Sequence, residues 1–230
     1  MADKKAEQRR IKAEKQAAAR QRAALAGLAW KIGGLVVVVL SLVVLVQGFF
    51  GAETSPPGEV VASDHVRGNS AAPVTLTVYA DFQCPACRTE SNLIARAWPR
   101  IEDRVRLVFR HYPLDTHRHA FLAARYAEAA ARQDAFWEMH DLLFGNQALW
   151  SQTPNAVPIF DGYAGELGLD LAQLRADVDS AAVRDKVLAD QRGGTRAGVR
   201  STPSLFLNGR LIANPDTAPA LVALVNAAAE

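Results

Sequence analysis

The chain has two cysteines, Cys84 and Cys87, separated only by Pro85 and Ala86. Two thiols at that spacing can close a small ring and exchange between dithiol and disulfide with little backbone motion. The attacking species is the thiolate, and a free cysteine has a pKa of about 8.5. If the pair opens a helix, the unpaired N–H groups of the first turn and the macrodipole favour negative charge on Cys84. Pro85 suits the first helical position, where its missing N–H would have had no partner. Cys87, one turn further in, is then the shielded, resolving thiol. Two other chemistries compete. Zinc usually takes four ligands, commonly two such pairs, and the sequence has no second pair. A static disulfide across so short a loop would stabilise little.

The flanking segments fit a redox pair. Val74-Thr75-Leu76-Thr77-Val78-Tyr79-Ala80 is β-branched and apolar and reads as a buried strand. After Cys87, the residues Leu93, Ile94, Ala97 and Trp98 recur at helical spacing, and Pro99 ends or kinks that helix. Strand, Cys-x-x-Cys, helix is the context in which the motif signals thioredoxin-like redox chemistry. Residues 105–109 form a second strand. Helical periodicity then runs from residue 116 to about residue 187, with turn signals at Gly145-Asn146, Pro154-Asn155, Asp161-Gly162 and Gly193-Gly194. Asn208-Gly209 between two short apolar runs is a hairpin signal, and residues 219–229 close the chain as a helix. Thr202-Pro203 opens the third strand, a position where proline is tolerated.

The histidines are a weaker attraction. His111, His117 and His119 lie close in sequence, but residues two apart do not share a helical face. No local carboxylate pattern completes a metal site, so surface or packing roles are expected and no metal. Trp137, Met139, Phe144 and Trp150 are expected in a helical core rather than lining a peptide surface.

Charge divides the chain. Residues 1–31 hold nine Lys or Arg and three Asp or Glu, net +6, while the other 199 hold 17 basic and 21 acidic residues, net −4. The folded part is thus mildly acidic, which argues against nucleic-acid binding. Residues 1–31 are expected to be a basic cytoplasmic tail. Residues 32–52 contain no charge, and 21 residues at about 1.5 Å rise can cross a hydrocarbon core of about 30 Å. The basic flank places the N-terminus in the cytoplasm and the remainder outside it. A cleaved signal peptide is the competing reading, but the basic region is long and the small-residue cleavage sites are poor. Residues 53–70 read as a proline-containing linker and lead-in, and residues 71–230 as one domain of ordinary size.

The run 64–74 (DHVRGNSAAPV), followed by Asp81-Phe82-Gln83-Cys84-Pro85, resembles the DsbA-like thiol-disulfide oxidoreductases, in particular their membrane-anchored BdbD-type branch. The resemblance continues through Tyr112-Pro113-Leu114-Asp115, residues 135–144 and residues 201–209. It implies a thioredoxin fold with a helical insertion, Cys84 and Cys87 as the catalytic pair, Pro85 and Ala86 as the variable part of the active-site motif, and no cofactor. It also implies that Thr202-Pro203 is a cis bond against the sulfurs, with Thr202 and Pro203 bordering the substrate. The partners implied are reduced exported proteins and a DsbB-like or VKOR-like membrane protein that re-oxidises the pair. A reductase or isomerase of the same fold, and a non-catalytic anchored peptide-binding protein, are the alternatives. Two positions depart from the family. Thioredoxins and several DsbA relatives carry a buried acid on the strand six residues before the first cysteine, where this chain has Val78; either another group such as Glu90 or water takes that part, or deprotonation is unassisted. Strongly oxidising relatives have Pro-His between the cysteines, and Ala86 offers no such side chain, so a milder oxidant is expected.

Overall fold

The computed structural model describes residues 56–230, together with Gly34, Leu35, Val38 and Ser41, which are helical and exposed. The basic tail, most of the expected anchor and the first residues of the expected linker lie outside the described residues. No helix among the described residues is long and apolar enough to cross a membrane.

The unit spanning Thr54–Glu230 is built on a five-stranded sheet. Its strands are β1 (His65–Gly68), β2 (Val74–Ala80), β3 (Val105–His111), β4 (Ser204–Leu207) and β5 (Arg210–Ile212), in the spatial order β1-β3-β2-β4-β5. β2 is central and every one of its residues is buried. It pairs in parallel with β3 and antiparallel with β4. Parallel neighbours need a crossover, which α1 (Pro85–Ala97) and a 3-10 turn at Trp98–Arg100 supply. Between β3 and β4 the chain inserts α2 (Ala120–Ala131), α3 (Phe136–Gly145), α4 (Gln147–Trp150), α5 (Val157–Glu166), α6 (Leu171–Val178) and α7 (Ala181–Arg196). α2 is their hub, touching α3, α5, α6 and α7, while α7 also packs on β3. The closing helix α8 (Ala218–Ala228) packs against α1.

Strand alternation divides the apolar residues of β2. Leu76, Val78 and Ala80 join the main core with Phe82, Cys87, Leu93, Phe109 and Phe136. Tyr79 points the other way into a small cluster with Val199 and Phe206. Trp137 is partly buried, while Met139, Phe144 and Trp150 are core residues.

Three local readings are corrected. The lead-in is not a linker throughout: His65–Gly68 forms an edge strand antiparallel to β3, with His65 opposite Phe109. Four residues of mixed polarity give no alternation strong enough to read. Gly193-Gly194 lies inside α7 rather than in a turn. A Cβ at Gly194 would sit 2.8 Å from the rings of Tyr79 and Tyr112, so this glycine permits close helix–sheet packing. Asp161-Gly162 likewise falls within α5. Asn208 and Gly209 do make the β4–β5 turn, with φ of 47° and 79°, as a primed hairpin turn requires.

Candidate active site

The two cysteines lie where β2 hands the chain to α1. Cys84 is the N-cap residue, with extended φ and ψ of −72° and 122°, and Pro85 follows at the first helical position. The backbone N–H of Cys84 donates to the Asp81 carbonyl at 3.1 Å, and the Arg88 N–H donates to the Cys84 carbonyl at 3.2 Å. Both thiols are unbonded and buried; Pro85 and Ala86 between them are exposed.

The β2–β4 register pairs Tyr79 with Ser204, so the residues just before β4 run alongside the end of β2. These are Thr202 and Pro203, joined by a cis peptide bond. The Cys84 thiol donates to the Thr202 carbonyl at 3.5 Å. The backbone N–H of Asp81 donates to the Cys87 sulfur, also at 3.5 Å.

These surroundings separate the two sulfurs chemically. The thiol of Cys87 stabilises negative charge on Cys84 and, although burial opposes ionisation, the first-turn N–H groups of Cys87 and Ala86 and the Thr202 side chain add to it. The Cys84 pKa is lowered to about 5. The first-turn N–H groups are ones the helix itself leaves unpaired, so the thiolate is favoured without help from a side chain at position 86. For Cys87 burial dominates and the neighbouring Cys84 adds to it, which holds its thiol well above the usual range. One sulfur is thus favoured as thiolate, the form that attacks and leaves in thiol–disulfide exchange, and the other as thiol.

Side chains distant in sequence hold the turn. The buried Asp81 carboxylate accepts from the Gln83 N–H at 2.7 Å and the Leu114 N–H at 2.9 Å, and pairs with His117 Nδ1 at 2.7 Å. Gln83 spans to the insertion: its amide donates to the Ser151 carbonyl at 2.8 Å, and its oxygen accepts from the His119 N–H at 2.6 Å. Gln147 donates to the carbonyls of both Phe82 and Cys84, at 2.7 and 2.9 Å. The helical insertion therefore clamps the cysteine turn. Sequence reasoning had no local signal for Gln147, whose partners are more than 60 residues away. Asp81 and Gln83 stood in plain view within the quoted family run.

The three histidines do not converge. His117 serves Asp81, His119 Nε2 bonds the Thr153 carbonyl at 2.7 Å, and His111 Nε2 bonds Glu128 at 2.8 Å. Among the described residues, the ligand-type cluster that forms is His65, His111 and Glu128. Both imidazoles address one carboxylate oxygen, at 2.7 and 2.8 Å, and the Lys186 ammonium stands 4.0 Å from the same oxygen. Burial disfavours the Glu128 charge, but the His111 and His65 hydrogen bonds outweigh it and hold its pKa below the usual carboxylate range. With a resident cation beside it, this cluster reads as a charge network rather than a metal site.

Residues 61–227 match the family described as Thioredoxin. Na(+)/H(+) antiporter NhaA 3 of Salinispora tropica is 40% identical over 172 residues, covering 72% of this chain but 24% of that protein. The chain thus spans about a quarter of the length of the curated relatives it matches. A thioredoxin-like oxidoreductase from Silicibacter pomeroyi DSS-3 superposes with a TM-score of 0.63 at 26% identity, over 73% of this chain and 93% of that one. BdbD from Bacillus subtilis gives 0.66 at 20% identity, over 76% and 97%, a likeness of fold.

Proposed function

Since the chain belongs to the thioredoxin family and has its DsbA-like fold, we propose that it is an extracytoplasmic thiol-disulfide oxidoreductase that donates the Cys84–Cys87 disulfide to exported proteins. The observation that carries this reading is the asymmetry of the two sulfurs. Cys84 is favoured as thiolate and Cys87 is not. A dithiol whose reduced form is stabilised is a correspondingly stronger oxidant as a disulfide.

In the forward reaction a client thiolate attacks Cys84. The S–S electron pair leaves on Cys87, and a client–Cys84 disulfide forms. A second client thiolate then attacks the client sulfur and expels Cys84, whose low pKa makes it a good leaving group. The client is oxidised by two electrons, and the enzyme is left as a dithiol for a membrane partner of the DsbB or VKOR kind to re-oxidise. Thr202 and Pro203 border the client, with the Thr202 backbone available to pair with an extended segment. Residues 32–52 anchor the domain, a reading supported by their uncharged run and the basic flank before it.

Oxidative refolding of a reduced, multi-cysteine exported protein by the oxidised enzyme tests the direction. Stoichiometric disulfide transfer is expected, along with a mainly oxidised Cys84–Cys87 pair in growing cells. A pair found reduced at steady state would instead make the protein a reductase or isomerase. Protease added to spheroplasts should digest the domain and leave the tail protected. A soluble, N-terminally shortened form would replace the anchor with a cleaved signal.

A further inference from the structure

Cys87 poses a problem that the cysteine pair does not solve. It is 1% exposed, and burial strongly disfavours its thiolate. Yet the disulfide opens by placing an electron pair on Cys87, and closes only after Cys87 has lost its proton. During both steps a client or oxidant occupies the face of the site at Cys84 and Thr202, so the proton needs another route.

A cavity of about 40 Å³ reaches Cys87 from elsewhere, and Cys84 and Thr202 are not among the residues lining it. Val78 forms part of one wall, and Glu90, one turn beyond Cys87 on the same face of α1, forms part of another. The Glu90 side chain is buried, and its Oε1 has no hydrogen-bond partner. A buried, unpaired carboxyl oxygen is costly and calls for an explanation. The cavity exceeds the roughly 10–15 Å³ that one water needs. Its lining includes half-buried Ser91 and exposed Ala95, so it opens to solvent.

We propose that Glu90 is the proton carrier for Cys87, exchanging a proton with its sulfur through water in this cavity and with bulk solvent past Ser91 and Ala95. The proposal rests on the redox reading above. When the disulfide opens, the Glu90 carboxylic acid gives its proton to the Cys87 thiolate, leaving a carboxylate that solvent reprotonates. When the enzyme is re-oxidised, the carboxylate takes the Cys87 proton as that sulfur attacks the mixed disulfide at Cys84.

The other charged groups lining the cavity leave Glu90 free to do this. Arg67 on β1 pairs with Asp141 on α3 at 2.8 Å, and His140 Nδ1 bonds the other Asp141 oxygen at 2.8 Å. Burial depresses the His140 pKa and keeps that ring neutral. Only burial acts on Glu90 itself, raising its carboxyl to about 7, where a group can both give and take a proton near neutral pH.

The test uses the reduced full-length protein and an aromatic disulfide that releases a coloured thiolate at each step. The first release reports attack by Cys84, and the second reports attack by Cys87 on the mixed disulfide. In the wild type the second rate should rise through an inflection near pH 7. Glu90→Gln should slow that second release about 10²-fold at neutral pH and abolish the inflection, with the first release unchanged. Glu90→Asp should restore the inflection at an intermediate rate. An unchanged second rate and pH profile in Glu90→Gln would overturn the proposal. Should that variant misfold, carboxyl-labelled NMR of the wild type decides: a Glu90 midpoint near 7 supports the assignment, and an ordinary midpoint near 4.5 sinks it. A wild type that never releases the second thiolate would instead overturn the redox reading itself.

Discussion

Two sets of buried polar groups meet at the ends of β2 and β3, and the fold treats them differently. On the β3 side nearly every group is matched. The Arg110 guanidinium donates to both Asp64 oxygens at 2.9 and 2.8 Å, to the Tyr79 hydroxyl at 3.1 Å and to the Glu59 carbonyl at 2.7 Å. Glu128 takes His65 and His111, and Asp190 takes Lys186 and the His111 N–H. Among the described side chains of this network only His111 Nδ1 is left over. On the β2 side, around the cysteines, the matching is incomplete. Glu90 Oε1 and the Thr202 hydroxyl have no partner, and the protonation of both sulfurs is displaced in opposite directions. Matched groups fix a structure, whereas unmatched ones keep a pKa and a reactivity that solvent would otherwise level.

That contrast is tested most sharply by removing one member from each side. Cys84→Ser should reduce disulfide transfer to the uncatalysed background, while thermal and denaturant unfolding of the reduced protein below about pH 5, where the Cys84 thiolate no longer contributes, change little. Cys87→Ala should leave Cys84 linked to its clients, so that mass spectrometry of trapped species identifies them. In the matched set the pattern should invert. Asp64→Ala removes the carboxylate that faces the Arg110 guanidinium in a site where the arginine side chain is 3% exposed. Breaking a buried pair from one side costs about 3–5 kcal/mol, so urea unfolding should show a loss of that size. Transfer by the protein that remains folded should continue. A variant that stayed stable but lost transfer would erase the distinction between the two regions.

A smaller effect follows from the thiolate. The Cys84 thiol is lowered to about 5, well below the ordinary thiol range. A depressed acid contributes stability that is complete above the unfolded value and is lost as pH falls through the folded one. Between pH 5 and 7 the reduced form should therefore gain about 2 to 3 kcal/mol relative to the oxidised form. Glu90, raised to about 7, acts in the opposite sense in both redox forms and largely cancels in the difference. Denaturation of both forms across this range would check it. A difference independent of pH would mean that Cys84 is an ordinary thiol.

The same division marks what the sequence made legible. The cysteine turn, both of its flanking elements and the Thr202-Pro203 position were readable because each is carried by contiguous residues with strong local signals. The matched network was not. His65, His111 and Glu128 come from an edge strand, the strand next to it and an inserted helix, and only the fold brings them together. Gly194 looked like a turn because a glycine needed for close approach is indistinguishable in sequence from one needed for positive φ. Glu90 was legible as a candidate acid, but not its unpaired oxygen or the cavity beside it, which depend on how Val78 and α1 face each other.

The least perturbing change is Thr202→Val, and it separates the two regions within a single residue. Beside the protonated sulfurs the Thr202 hydroxyl is buried without a hydrogen-bond partner, but it lies close enough to turn its proton toward a thiolate, and so it lowers the pKa of both sulfurs. Valine keeps the branched shape and removes the hydroxyl. An unsatisfied buried hydroxyl costs free energy, so its removal should leave the oxidised protein as stable as before or slightly more so. The Cys84 thiolate loses one of its lesser supports, since Cys87 and the first-turn N–H groups remain. Its midpoint, followed by thiolate absorbance, should rise by less than about one unit, equivalent to roughly 1 kcal/mol. The reduced form should weaken by the same amount and the oxidising power should fall with it. If Thr202→Val instead lowered stability in both redox forms with the Cys84 midpoint unmoved, Thr202 would belong with the matched, structural set.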